Sequence, residues 1–391
     1  AFKIPPNVSV KSARLKRDNY PLMEREDSVP YWSPIIIRKG GRMGEIDIIP
    51  ICELAEFTED RQRIYLDGVE VFNSKNWENG RVWSKIKWVS RHPSYKHKIL
   101  RINTVGGLVD VTDNHSVLTP NGRIVKASDL KEGSKIWTVS LKHAWKRQRK
   151  PLIFLGTEEW AWFLGLFAAE GCASQNGYTV DISNYNLELL EKAKKIAEKY
   201  TNLEWSIRQC LDERTNKITF RLYVTSKPLW EQFRAWFYTK QGNLKRVPKI
   251  ILNAPLKIKE KFLEGYFLGD GSKTRKPWRF AGFSTSSPIL AAGIIWLVNQ
   301  VDRRSFNVNI QARNPFAIDV NLNIRDNHKN RNLVKKIFEL PYDDYLYDIE
   351  TEDHTFVTGI NCKVHNTACI TVGKVPSDFE NKIVYVFYDI M

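Results

Sequence analysis

Three short pieces of the chain hold residues suited to chemistry on a peptide bond. In Val364-His365-Asn366-Thr367 an asparagine stands between an imidazole and a hydroxyl residue. The Asn366 side-chain amide can attack its own carbonyl carbon and cut the bond to Thr367, with His365 assisting by proton transfer. Thr112-Asp113-Asn114-His115 follows the strand-like run LVDV and brings a hydroxyl and an imidazole to the end of one turn. Ser28 precedes VPYWSPIIIRKGG, a turn followed by a strand, and offers a nucleophilic hydroxyl. The fourth feature is a repeat. FLGLFAAEG (163–171) and LEGYFLGDG (263–271) are largely apolar, carry a glycine at the third position and end in an acid and a glycine. Small residues at Gly165, Ala168, Ala169, Gly265 and Gly269 let two helices approach closely, so that Glu170 and Asp270 meet at one end. Paired carboxylates repel unless a divalent cation lies between them, and a Mg²⁺ ion so held can activate water and stabilise phosphate cleavage. Each piece taken alone also has a plainer reading: a polar turn closing a hairpin, or buried helices ending in a capping acid and a glycine C-cap.

The elements around these residues change character along the chain. From Ile35 to about Val139 short runs (IIIR, EIDIIPI, KIKWVS, KILRINT, LVDVT, KIWTVSL) alternate with Gly, Asn, Pro and Asp turns, the pattern of an all-β region. KHAWKRQRK (142–150) reads as a linker. Beyond it, helical spacing covers Glu158–Glu170, with Thr157 as N-cap, then Leu187–Tyr200, Ser226–Thr239, Leu256–Leu268, Pro288–Val301 and Asn330–Phe338. Strand-like TVDIS, KITFRLYV and FAIDVNLNI lie between them. After Leu340 the strand pattern returns in YLYDIET, HTFVTG and CKVHNTACITVG. The sequence therefore predicts a β host split by an α+β insert.

Charge follows the same division. The 391 residues carry 60 Lys+Arg and 44 Asp+Glu, a net +16. Residues 146–335 alone hold 32 Lys+Arg against 17 Asp+Glu, an excess of 15. A basic insert in a neutral host points to a polyanion partner, most often nucleic acid. The hydrophobic content of 42% excludes a disordered polycation. No apolar run reaches the length of a membrane span, and the N-terminus lacks the apolar core of a secretory signal. Five widely spaced cysteines argue against a disulfide framework or a zinc site and for an intracellular, reducing compartment.

In this setting the paired segments resemble the motifs of single-chain LAGLIDADG homing endonucleases, and RVPKIILNAP (246–255) resembles the stretch those proteins carry before the second motif. The resemblance implies that Glu170 and Asp270 coordinate Mg²⁺ and that each half lays a β-sheet along the major groove of double-stranded DNA. Lys273, Arg275, Lys276 and Arg279 are then candidates for phosphate contact or for the family's active-site lysine.

The host pieces, in order around that insert, resemble an intein of the Hedgehog/intein fold. Ser28 with its turn and strand, GGLVDVTDNHSVLT (106–119), YDIETEDHTFVTG (347–359) and NCKVHNT (361–367) look like its splice motifs, somewhat as in inteins of family B DNA polymerases. The resemblance implies a multidomain chain. Residues 1–27 and 367–391 are host-protein flanks in cis, 28–145 and 336–366 form an all-β splicing horseshoe, and 146–335 form the endonuclease domain. It also implies roles. Ser28 starts an acyl shift, with Thr112 orienting the bond and His115 protonating the departing nitrogen. Thr367 takes over the acyl group near Asp348, and Asn366 cyclises with His365 and His354. No cofactor is needed for splicing. The DNA partner would be the intein-free allele of the host gene, cut by a monomer with Mg²⁺. The alternative keeps splicing but leaves an insert that binds DNA without cutting it.

Overall fold

The computed structural model describes residues 28–41, 44–74, 82–94, 97–139, 141, 156–174, 177–212, 216–272, 281–302, 304–322 and 330–366. The expected flanks, the linker 142–150, Thr367, Lys273, Arg275, Lys276 and Arg279 lie outside them. No described helix is long and apolar enough to cross a membrane.

The first part of the chain forms β1 (Val29–Pro30), β2 (Pro34–Lys39), β3 (Glu45–Pro50), β4 (Arg63–Tyr65), β5 (Val69–Phe72), β6 (Trp83–Pro93), β7 (Ile99–Thr104), β8 (Leu108–Thr112), β9 (Ser116–Leu118) and β10 (Ile124–Lys126). The middle forms α1 (Glu158–Glu170), β11 (Gly171–Ala173), β12 (Thr179–Asn184), α2 (Leu187–Thr201), β13 (Ser206–Asp212), β14 (Lys217–Thr225) and α3 (Lys227–Phe237). It continues with α4 (Lys249–Leu252), α5 (Leu256–Asp270), β15 (Gly271–Ser272), β16 (Gly282–Thr285), α6 (Pro288–Val301), β17 (Asn307–Gln311) and β18 (Asn314–Asn321). Last come β19 (Val334–Leu340), β20 (Tyr345–Thr351), β21 (Thr355–Thr358) and β22 (Cys362–His365).

Early and late strands share sheets. β20 lies between β1 and β6, β21 joins β2 to β22, β22 pairs with β9, and β19 pairs with β7. All these neighbours run antiparallel. One continuous frame is thus built from both ends of the described chain. Burial drives this closure. Ile35, Ile37, Val71, Val89, Val111, Ile349, Phe356 and Val364 come from both stretches and fill one apolar cluster.

The insert repeats helix–strand–strand–helix–strand–strand. Its two sheets run β11-β12-β14-β13 and β15-β16-β18-β17. α1 is apolar on all sides and buried from Trp160 to Ala168, as a core helix must be. Thr157 caps it by accepting from Trp160 N at 3.4 Å. α2 is amphipathic, burying Leu190, Ala193, Ile196 and Ala197 at helical spacing. α6 starts at Ser287, which accepts from Leu290 N at 3.2 Å.

Two expectations need correction. Asn330–Phe338 is not a helix: Val334–Leu340 is strand β19, zipped to β7. The apolar spacing of Val334, Ile337 and Phe338 suits a helix, but pairing with β7 overrides that local pattern. Among the described residues of KIWTVSL, only isolated bridges form, at Lys135 and Thr138.

Frame and insert form one compact unit. Phe72 meets Trp296 edge-on, ring centroids 6.1 Å apart. Asn253 serves as a substitute strand for β3: its Oδ1 accepts from Ile46 N at 2.9 Å and its Nδ2 donates to Ile46 O at 2.7 Å. Buried Arg101 forks onto Asp110 at 2.7 and 2.6 Å, and its remaining nitrogen donates to Pro315 O at 2.5 Å.

Candidate active sites

Ser28 enters β1 almost wholly buried. Its backbone N–H donates to Thr112 Oγ1 at 3.1 Å, and its carbonyl accepts from Thr112 N at 3.0 Å. The end of β8 therefore grips the first described peptide of the frame from both sides. His115 N donates to Thr112 O at 3.0 Å, closing a turn whose imidazole is buried. Asp348 is buried on β20, one position beyond the Val29–Tyr347 pair, and its Oδ1 accepts from Ile349 N at 2.8 Å. Ser28 and Thr112 are thus in contact, with His115 on the turn after β8 and Asp348 on β20, the strand that pairs with β1. A further residue, His92 at the end of β6, stands with Nε2 2.8 Å from Ser28 Oγ. Burial lowers its pKa.

At the other end of the frame, Asn366 is buried and its N–H donates to His354 O at 3.1 Å. Its Nδ2 donates to Glu350 Oε2 at 2.5 Å. Glu350 Oε1 also meets His354 Nδ1 at 3.0 Å and Lys87 Nζ at 3.5 Å. His365 Nδ1 lies 2.6 Å from Asn366 O. One carboxylate thus organises the asparagine and one histidine, while the other histidine touches the asparagine carbonyl. Asp348 and Glu350 are two positions apart on β20. At about 3.3 Å per residue, the two sites are linked by about 7 Å of one strand.

The repeat forms the third site. α1 and α5 cross with backbones in contact: a Cβ on Gly165 would sit 1.9 Å from Phe262 O, and one on Gly265 1.9 Å from Trp162 O. Gly171 and Gly271 are extended, at φ −78 and −79, so neither is a left-handed C-cap. Glu170 and Asp270 meet at the paired helix ends. Burial and then the charge of Asp270 raise the Glu170 pKa, while Lys245 opposes the rise. Burial raises the Asp270 pKa, again against Lys245. Lys245 Nζ donates to Ala168 O at 3.0 Å and Ala169 O at 2.8 Å, capping α1 beside both acids. Its own pKa is lowered, by burial first, with the nearby carboxylates acting the other way. Among the described residues no cluster of three or more His, Cys, Asp or Glu is arranged to hold a metal. Two buried carboxylates side by side, each with its pKa raised, nonetheless suit Mg²⁺, which takes one or two carboxylates and fills its shell with water and phosphate oxygens.

The sheet beside α1 has a polar face. The register sets Arg208 opposite Arg221, and Arg221 opposite Ser183. Leu222 and Val224 point the other way, into the core. In the second sheet Ser284, Asp319 and Asn309 share one row.

Sequence reasoning missed His92, Glu350 and Lys245. His92 continues the alternation of Trp88 and Ser90 beyond the expected end of KIKWVS. Glu350 shares the face of Asp348 within YDIET. Lys245 lies immediately before RVPKIILNAP, with no local pattern to single it out.

Residues 157–235 match the LAGLIDADG-like domain family. Over 88% of its length the chain is 30% identical to a DNA polymerase of Acanthamoeba polyphaga mimivirus, covering 20% of that protein. The chain spans about a fifth of the length of the curated relatives it matches. Among solved structures it is similar to an intein from a hyperthermophile (12% identity, TM-score 0.31, 87% of this chain and 99% of that one). It is also similar to mesophilic variants of the homing endonuclease I-DmoI (16% identity, TM-score 0.32, 43% of this chain and 84% of that one). A LAGLIDADG-like domain is thus set between two stretches of one β frame, with the candidate junction residues at β1 and β22.

Proposed function

We propose that the chain is an intein that excises residues 28–366 by autocatalytic protein splicing on a split Hedgehog/intein horseshoe. Ser28 Oγ attacks the Asp27 carbonyl and turns that amide into an ester. Thr112 holds the Ser28 N–H, and His115 delivers a proton to the departing nitrogen. Thr367 Oγ takes the acyl group from Ser28, near Asp348. Asn366 Nδ2, aligned by Glu350 and His354, closes on its own carbonyl while His365 supports that oxygen. The freed flanks join Asp27 to Thr367 through a spontaneous O-to-N shift. The observation that carries this reading is the double grip of Thr112 on Ser28. Intact-mass measurement tests it. The parent yields the 339-residue Ser28–Asn366 species. Ser28→Ala stops ester formation, and Asn366→Ala stops release of the downstream flank. Ligated flanks from the double variant would refute the reading.

The insert is proposed to cut double-stranded DNA at the uninterrupted host gene, as a monomer. The named DNA polymerases among its relatives support a polymerase host. Glu170 and Asp270 would hold Mg²⁺, which supplies an activated water and charge neutralisation at the phosphate. Lys245, beside both acids, keeps a cation where the phosphate's negative charge builds up. The basic face around Arg208 and Arg221 supplies backbone affinity. Asp270→Asn and Lys245→Met are expected to abolish Mg²⁺-dependent cleavage while DNA binding persists. Cleavage that survives Asp270→Asn refutes this role.

A further inference from the structure

The splicing reading leaves one proton unassigned. Thr112 engages the Ser28 nitrogen, and His115 serves that same nitrogen, so neither removes the proton from Ser28 Oγ. A neutral serine hydroxyl is a weak nucleophile and needs a base. His92 is built for that task. Its Nδ1 lies 3.2 Å from Pro93 O, an atom that can only accept, so Nδ1 carries the ring hydrogen. Nε2 then carries no hydrogen and presents its lone pair 2.8 Å from Ser28 Oγ. Burial, with His97 nearby, favours this neutral ring. The sheet fixes its position: His92 pairs with Leu346 on β20, where Leu346 and Tyr347 also pair with Pro30 and Val29.

We infer that His92 is the general base that takes the Ser28 hydroxyl proton during the acyl shift and returns it to the same oxygen when Thr367 takes over the acyl group. In the first step the Oγ–carbonyl bond forms, the amide C–N bond breaks, His92 Nε2 gains the Oγ proton and the freed amine takes one from His115. In the second step the Thr367 Oγ–carbonyl bond forms and the Ser28 ester bond breaks, the Thr367 hydroxyl proton passing to the nearby Asp348 carboxylate. His92 gives its proton to the leaving Oγ and is neutral again. The sequence could not point to this residue, because its 64-position separation from Ser28 is bridged only in space.

The inference rests on the splicing reading, and its test separates the two. Precursor with both flanks, in an Asn366→Ala background, is treated with hydroxylamine, which cleaves an ester at the Ser28 junction. His92→Gln keeps a polar side chain but no base and is expected to slow cleavage about 100-fold or more. The same substitution in a Ser28→Cys background should cost less than about 10-fold, because a thiol ionises near pH 8.5 without help. Equal losses in both backgrounds would mean a structural role and overturn the inference, as would an unslowed His92→Gln. If the His92-intact protein gives no hydroxylamine-sensitive junction, the splicing reading falls and the inference with it.

Discussion

Adding one methyl group to either motif glycine is the sharpest perturbation of the insert. In Gly165→Ala the new Cβ would lie 1.9 Å from Phe262 O, with Tyr266 N at 2.9 Å. In Gly265→Ala it would lie 1.9 Å from Trp162 O, with Leu166 N at 3.0 Å. A carbon–oxygen contact needs about 3.3 Å, so α1 and α5 must part by about 1.4 Å. No rotamer change relieves this, because both obstacles are backbone. Overpacking of this kind costs about 3 kcal/mol at the upper end of its usual range. Alanine returns about 1 kcal/mol of helix propensity, leaving a net loss of about 2 kcal/mol per variant. The double variant should lose well under twice that, since a single separation of the helices accommodates both methyls. Urea unfolding, with midpoints compared at unchanged slope, measures all three values. Because Glu170 and Asp270 ride on the parted helices, a displacement of about 1 Å should also slow DNA cleavage about 100-fold. Single variants within about 0.5 kcal/mol of the parent, or strict additivity in the double, would refute the close-crossing argument.

Thr112→Val removes the acceptor of the buried Ser28 N–H. An orphaned donor costs about 1–3 kcal/mol, so ester formation, followed by hydroxylamine cleavage, should slow about 10–100-fold, with Thr112→Ser largely restoring it. Glu350→Gln removes the charge that joins Asn366, His354 and Lys87. Release of the downstream flank should slow while ester formation at Ser28 does not. Lys259 is buried, donates to Gln300 Oε1 at 2.7 Å, and its pKa is pushed down from 10.5 to about 8 by burial. The folded state therefore holds fewer protons than the unfolded one between those values, and stability should rise as pH climbs from about 8 to about 10.5. In Lys259→Met, urea midpoints at pH 7 and pH 10 should show that rise reduced, the remainder coming from Lys363, whose pKa burial also lowers to about 8.

Much of the architecture was legible because its signals are local. Glu158–Glu170 and Pro288–Val301 are helices over the expected residues, announced by a capping hydroxyl and a long apolar run. β2, β8 and β20 follow Ile-, Val- and Tyr-rich runs bounded by turns. What failed was decided at a distance. β19 became a strand because β7 offers an open edge. β13 and β17 are half-polar, and only their partners β14 and β18 make them strands. The sites divide in the same way. Ser28, Thr112, His115 and Asn366 stand in short motifs, whereas His92, Glu350 and Lys245 acquire meaning only through contacts across the sheet or helix pair.

The two chemistries proposed for this chain need opposite surroundings, and the fold supplies both. Peptide-bond rearrangement requires groups held dry and in register, since water at an ester hydrolyses it. Ser28, Thr112, His115, Asp348 and Asn366 are accordingly buried. Affinity for a polyanion instead needs charge in solvent, where it meets phosphate without first being desolvated. Arg208, Lys217 and Lys227 are accordingly exposed on the insert. Between the two regions lies packed apolar contact, Phe72 against Trp296, with Ile36, Ile46 and Ile48 in the same cluster. Such a boundary holds the insert rigidly without bringing mobile charge to the junctions. Surface charges farther away than about 8 Å are screened at physiological salt. The excess of positive charge in 146–335 can therefore serve the insert alone. Charge on the insert and the chemistry proposed for Ser28 and Asn366 are in this sense separable by substitution, although frame and insert form one unit.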